Sequence, residues 1–182
     1  MSHEIDESKL RTNALFLGQS CSFTVEFGLL SKPRRRPNEE IGERVLGAFI
    51  LPPFQRPAVW TQEQQIRFVE SIWYGLPLPA YIYNLTRHPS TGSHTDYWLI
   101  DGQQRWTAVL DYVEDKFPVL GYLYSEVSHG DRYAFESRPW TCVRTEYVDE
   151  LVLRDIYDRL AYGGTPHDPS ERPAAAERPT MR

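Results

Sequence analysis

Tyr97-Trp98-Leu99-Ile100 runs without a spacer into Asp101-Gly102-Gln103-Gln104-Arg105, and Trp106, Val109, Leu110 and Val113 follow at i, i+3, i+4 and i+7. The first four residues read as a short buried strand, the last four as the apolar face of a helix. A strand that becomes a helix through a single glycine has little freedom. Glycine tolerates the tight turn and the close backbone approach that such a junction needs. The two elements must then bury their apolar faces in one layered core.

The rest of the chain repeats this interleaving. Ser22 to Phe27 alternates polar and apolar residues, and Val45 to Leu51 is a short apolar run, so both read as strands. Thr61-Gln62-Glu63-Gln64 forms a capping box that opens a helix with Ile66, Val69, Ile72 and Trp73 on one face, closed by Gly75. Leu76-Pro77-Leu78-Pro79 is a rigid connector into a strand at Tyr81–Leu85, and residues 86–96 form a loop. Phe117–Tyr124 and Thr141–Tyr147 are further strand candidates, separated by a turn at Ser128–Asp131. Asp149 caps a last helix running to Leu160, and Gly163-Gly164 ends it. The expected architecture is a single α+β domain over residues 20–164, between a flexible N-terminus (1–19) and a disordered tail (165–182) rich in Pro, Ala, Glu and Arg.

Composition excludes several classes. The 182 residues suffice for one domain and are short for two. No apolar run approaches the roughly 18 residues of a membrane helix. The acidic, polar start MSHEIDESKLR is no secretory signal, so a cytoplasmic location without membrane contact is expected. Cys21 and Cys142 lie far apart in no CxxC pattern, which suggests neither a disulfide scaffold nor a zinc site. The five histidines show no HxxxH or HExxH spacing. A formal charge of −5 argues against broad, nonspecific DNA binding. The positive charge is nevertheless unusual, with 17 Arg against 3 Lys. Codon bias accounts for much of such an excess, but Arg also grips phosphate with a planar fork that Lys lacks.

Three segments carry candidate chemistry. At the Asp101–Arg105 junction the unpaired N–H groups of a helix start make an anion site. Arg105 would add a charge-assisted donor, Asp101 a metal ligand or base, and Gln103 and Gln104 neutral orienting groups. The plain structural alternative is that Asp101 caps the helix and Arg105 pairs with an acid. In Pro52–Trp60, the proline-flanked pair Gln55-Arg56 makes a second rigid donor platform. In Asp158–Thr165, Arg159 precedes Gly163-Gly164, whose backbone can face an anion. The basic loop Lys32–Arg36 reads either as solvated or as a contact to phosphate backbone. Together with the many aromatic residues, it favours a nucleic-acid surface.

Taken in order, these segments resemble the DGQQR-motif branch of the ParB/sulfiredoxin-like superfamily, domain-of-unknown-function family 262, as found at the N-terminus of GmrS-GmrD-type restriction proteins. The resemblance rests on Pro53-Phe54-Gln55-Arg56 with Trp60-Thr61, on Ser71-Ile72-Trp73-Tyr74-Gly75-Leu76-Pro77-Leu78-Pro79, on Asp101–Arg105, and on Arg159–Thr165. It spans about residues 45–171. It implies a mixed sheet with flanking helices that binds a nucleoside triphosphate (ATP, GTP or CTP), with Mg²⁺, and supports hydrolysis or phosphoryl transfer in bacterial or phage DNA modification and defence. On that basis Asp101, Gln104 and Arg105 are the expected catalytic residues. Gln55, Arg56, Gly102, Gln103, Arg105, Arg159, Gly163 and Gly164 would bind the nucleotide, and Asp101 the metal. Ala161 stands where the family has Asn. The chain stops 18 residues after Gly164 without a His-Asn-His motif, so an autonomous modification-dependent nuclease is not expected.

Two functional classes follow. One is a phosphoryl-transfer enzyme, an NTPase or a kinase acting on a hydroxyl such as that of a modified DNA base. The other is a nucleotide-gated or modified-DNA-sensing module without turnover.

Overall fold

A computed structural model of the chain describes residues 18–86 and 93–162. The expected flexible N-terminus (apart from its last two residues), the middle of the 86–96 loop, the tail and Gly163-Gly164 lie outside the described residues.

Four strands form a mixed sheet in the order β1-β6-β4-β5. These are β1 (Gln19–Thr24), β4 (Tyr81–Asn84), β5 (Leu99–Asp101) and β6 (Pro139–Thr145). β1 and β5 pair antiparallel with their neighbours, while β4 and β6 run parallel. A separate hairpin joins β2 (Arg44–Leu46) to β3 (Phe49–Leu51). It meets the main sheet through a bridge between Ile50 and Trp98. Among the described residues five α-helices complete the fold: α1 (Val25–Leu30), α2 (Gln62–Trp73), α3 (Gln103–Val113), α4 (His129–Glu136) and α5 (Glu150–Tyr162). Among the described residues no helix is long and apolar enough to cross a membrane.

Strand alternation sorts the core into two layers. Tyr81, Tyr83 and Leu99 face α2 and α3, in a cluster with Trp106, Trp140 and Phe49. Trp106 and Trp140 stack at 4.4 Å, and Tyr81 meets both edge-on. Ile82 and Ile100 face the other way, onto Leu153, Ile156 and Tyr157 of α5. Helices thus cover both faces of the sheet, and the end of β5 opens between α3 and α5.

The α2 capping box forms as expected, with Gln64 N donating to Thr61 Oγ1 and Thr61 N donating to Gln64 Oε1. Asp149 caps α5 through Leu151 N.

Other expectations are corrected. The first strand starts at Gln19 and ends at Thr24, and Val25–Phe27 is helical. Phe23 and Phe27 stack at 4.2 Å, whereas a continuing strand would set them about 13 Å apart. Val45–Leu51 is two strands folded at Gly47, whose φ is +56°. Phe117–Tyr124 is no strand. Pro118 removes a donor, and Val119 and Tyr122 close a turn over Leu120 and Gly121, both at positive φ. Ser128 is no simple turn residue: its hydroxyl accepts from Asp131 N and opens α4. Cys21 and Cys142 stand opposite each other in the β1–β6 register, with Cα atoms 5.2 Å apart, and form a disulfide. A separation of 121 residues hides that pairing from the sequence.

Candidate functional site

The site is built at the end of β5. Gly102 is the N-cap of α3 with φ +111°. A Cβ there would lie 2.7 Å from Tyr81 Cβ, so both backbone and space demand glycine. Among the described residues no side chain caps α3, so its first-turn N–H groups are open there to an anion.

Asp101 therefore does not cap the helix. Its Oδ2 accepts from Arg105 Nη2 at 2.5 Å. Arg105 Nη1 donates to Pro79 O at 2.7 Å and to Ala80 O at 2.9 Å. Pro79 O also accepts from the Trp140 indole at 2.9 Å. Arg105 is thus turned inward, its side chain 11% exposed, and locks the proline connector ahead of β4 against the start of α3.

The segment Pro52–Trp60 crosses above this junction. Gln55 is buried, and its Nε2 donates to Leu99 O at 2.6 Å and Ile100 O at 3.0 Å. Two acceptors on that side fix the amide orientation. Gln55 Oε1 is consequently left buried without a partner among the described residues. Gln104 Oε1 accepts from Val59 N at 2.9 Å and Trp60 N at 3.0 Å, tying the segment to α3. Arg56 is exposed and has no acidic partner among the described residues. Gln103 is buried, and its side chain has no hydrogen bond among the described residues.

Between these elements lies a cavity of about 290 Å³. Gln55, Arg56, Asp101, Gly102, Gln103, Gln104 and Arg105 all border it, and Leu160 and Ala161 of the Asp158–Thr165 segment join them, so all three segments singled out in the sequence converge. α5 contributes Tyr157, Leu160 and Ala161. Arg159 does not border the cavity. It pairs with Asp155 one turn back on the exposed face of α5, at 2.9 Å. Sequence reasoning misses Tyr157 as a wall residue, although it sits one turn before the Ala161 position that the motif flags.

The basic loop is only partly free. Arg35 makes a two-pronged pair with Glu43, at 2.8 and 2.6 Å, and its Nε donates to Asp96 O. Lys32, Arg34 and Arg36 stay at least partly exposed.

Among the described residues no three His, Cys, Asp or Glu side chains group closely enough to hold a metal ion. At the cavity, Asp101 alone offers a carboxylate, with one oxygen engaged by Arg105. That set fits Mg²⁺ only in the mode where one carboxylate and ligand phosphates share the ion.

The fold and site define an α+β domain with a strand-to-helix junction whose uncapped helix start opens into a cavity bordered by α3 and α5. The chain belongs to the family described as GmrSD restriction endonuclease, N-terminal domain, whose model matches residues 37–163. No curated protein and no solved structure matches it. Membership ties the chain to restriction of DNA, and the family is named for an enzyme.

Proposed function

We propose that the chain binds a nucleoside triphosphate in the cavity at the start of α3 and supports phosphoryl transfer from it, within the DNA-restriction role of its family. One observation carries the reading. Three sets of unsatisfied donors meet at one opening: the uncapped amides of α3, the Arg56 guanidinium and the Gln103 amide. Triphosphate oxygens match them by charge and by number of acceptors. Gln55 Oε1, an orphaned acceptor at the same cavity, suits a hydroxyl or amino group of the nucleoside.

Phosphoryl transfer asks the protein mainly for positioning and positive charge. Arg56 and the α3 amides hold the phosphates. Gln104 keeps Arg56 in place by gripping Val59 and Trp60. Asp101 keeps one oxygen to accept a proton from water or from an acceptor hydroxyl, such as that of a modified DNA base. Mg²⁺, when carried in on the triphosphate, would withdraw charge from the phosphate oxygens beside Asp101. Triphosphate and DNA as ligands place the action in the cytoplasm of a bacterial or phage-infected cell.

The Asp101–Arg105 pair favours a second reading, a nucleotide-gated module without turnover, because it engages the base candidate. Purified protein is incubated with each γ-labelled triphosphate and Mg²⁺, with and without DNA. Free phosphate identifies hydrolysis, label on DNA a kinase, and retained intact nucleotide the gating module. If no triphosphate is retained, both readings fall. Arg56→Ala should weaken retention by about 1.5–3 kcal/mol, roughly ten- to a hundredfold, by loss of a charge-assisted contact. Its thermal unfolding should stay unchanged, because Arg56 has no acidic partner to lose.

A further inference from the structure

Lys32 and Arg34 of the basic loop border a second and larger cavity, of about 610 Å³, a size typical of ligand sites. Its floor is aromatic. Phe23 and Phe27 stack on each other, Tyr83 meets Phe23 at 6.4 Å, and Phe49 meets Phe27 at 6.5 Å and Tyr83 at 5.8 Å. Its rim is mainly cationic, with Asp96 the carboxylate that also borders it, one oxygen held by Thr86 N and Oγ1. Lys32 and Arg34 reach solvent there and have no acidic partner among the described residues. Arg144 also borders it, and although its Nη2 reaches Glu146, its Nε–H is buried without an acceptor among the described residues.

One wall is held in an unfavourable conformation. Tyr97 adopts φ +68°, a region that bulky side chains avoid. Two backbone bonds of 2.8 Å, from Ile50 N to Tyr97 O and from Tyr97 N to Asn84 O, keep it there.

We infer that this cavity takes one nucleotide of a single DNA strand, its base against the partly exposed Phe23 and Phe27 rings and its phosphates on Lys32 and Arg34. Planar π faces stack on aromatic side chains whatever the base, and a basic rim tracks the backbone. A ring-lined floor without the rim would suit a neutral apolar ligand. The rim without the floor would suit any anion. The combination selects a flat ring carrying a phosphate. The choice of a DNA strand over a free nucleotide rests on the restriction role of the family, while the ring-and-phosphate chemistry stands apart from the triphosphate cavity.

Fluorescence anisotropy of the full chain tests this without triphosphate present. The probes are a short labelled single strand, an abasic strand of the same length and charge, and a free mononucleotide as competitor. The base-bearing strand should bind more tightly than the abasic one, by roughly five- to a hundredfold. Lys32→Ala with Arg34→Ala should weaken strand binding about tenfold or more and flatten its salt dependence, by loss of two phosphate contacts. Phe27→Leu, which nearly keeps volume but removes a ring, should erase the preference for bases and leave the salt dependence intact. Circular dichroism establishes that each variant is folded.

Equal binding of the two strands overturns the inference, as does an unaffected Lys32/Arg34 variant. So does a mononucleotide that binds as tightly as the strand. Triphosphate retention is scored separately on the unaltered chain. Its failure counts against the proposed function alone, and failure of the strand preference counts against this cavity alone.

Discussion

Glu43→Gln should destabilise the domain by about 3–5 kcal/mol, the cost of removing one partner from a buried ion pair. The Glu43 side chain is 1% exposed and lies at the centre of a network. It accepts both prongs of Arg35, the Asn38 amide at 2.6 Å and the Trp98 indole N–H at 2.5 Å. A neutral amide of the same shape offers one acceptor where two are used and leaves the Arg35 charge uncompensated. Burial alone would push the Glu43 carboxyl up. The bonds from Arg35, Asn38 and Trp98 overcome that and hold it below its ordinary value of 4.5. The sign of the pH effect follows. A depressed carboxyl contributes stability in full above its unfolded value and loses it as pH falls through the folded value. Urea unfolding of the native chain should therefore weaken progressively below about pH 4.5, and Glu43→Gln should lack this component of the pH dependence. A variant with an unchanged urea midpoint at pH 7 would falsify the network's role.

Elements that depend on close neighbours are legible in the sequence itself. The α2 capping box, the β5–α3 junction and the Gln55-Arg56 platform are all written within a few residues. The start of α4 reads as a turn because an eight-residue helix with one buried apolar residue, Phe135, carries too little periodicity. Nothing local marks Glu43 as a buried anchor. Its partners Arg35 and Trp98 lie 8 and 55 residues away, and only the fold brings them together.

The three arginines singled out at helix ends and turns have three different fates. Arg56 stays free at the cavity, Arg105 is locked inward, and Arg159 pairs outward with Asp155. Sequence places each beside a turn but does not say which way the guanidinium points. For Arg105, that direction is set by the carbonyls of Pro79 and Ala80, 26 and 25 residues earlier, which β4 brings under α3.

That direction separates two roles for Arg105 by experiment. As a lock, it makes three short bonds from a largely buried side chain, so Arg105→Ala should lose about 2–4 kcal/mol of stability through unsatisfied carbonyls and a released Asp101. Arg105→Lys should restore little of it. A single ammonium cannot reach Pro79 O, Ala80 O and Asp101 in the geometry of a planar fork. Nucleotide retention, measured at a temperature where the variant is still folded, should fall as well, because the connector and the start of α3 are no longer held together. As a direct phosphate ligand, Arg105 would behave as Arg56 is expected to: Ala substitution would weaken retention and leave unfolding within about 0.5 kcal/mol of the native chain. Thermal or urea unfolding of Arg56→Ala and Arg105→Ala side by side decides the matter. Equal, unperturbed stability in both would return Arg105 to the cradle and require its bonds to Pro79 and Ala80 to break on binding.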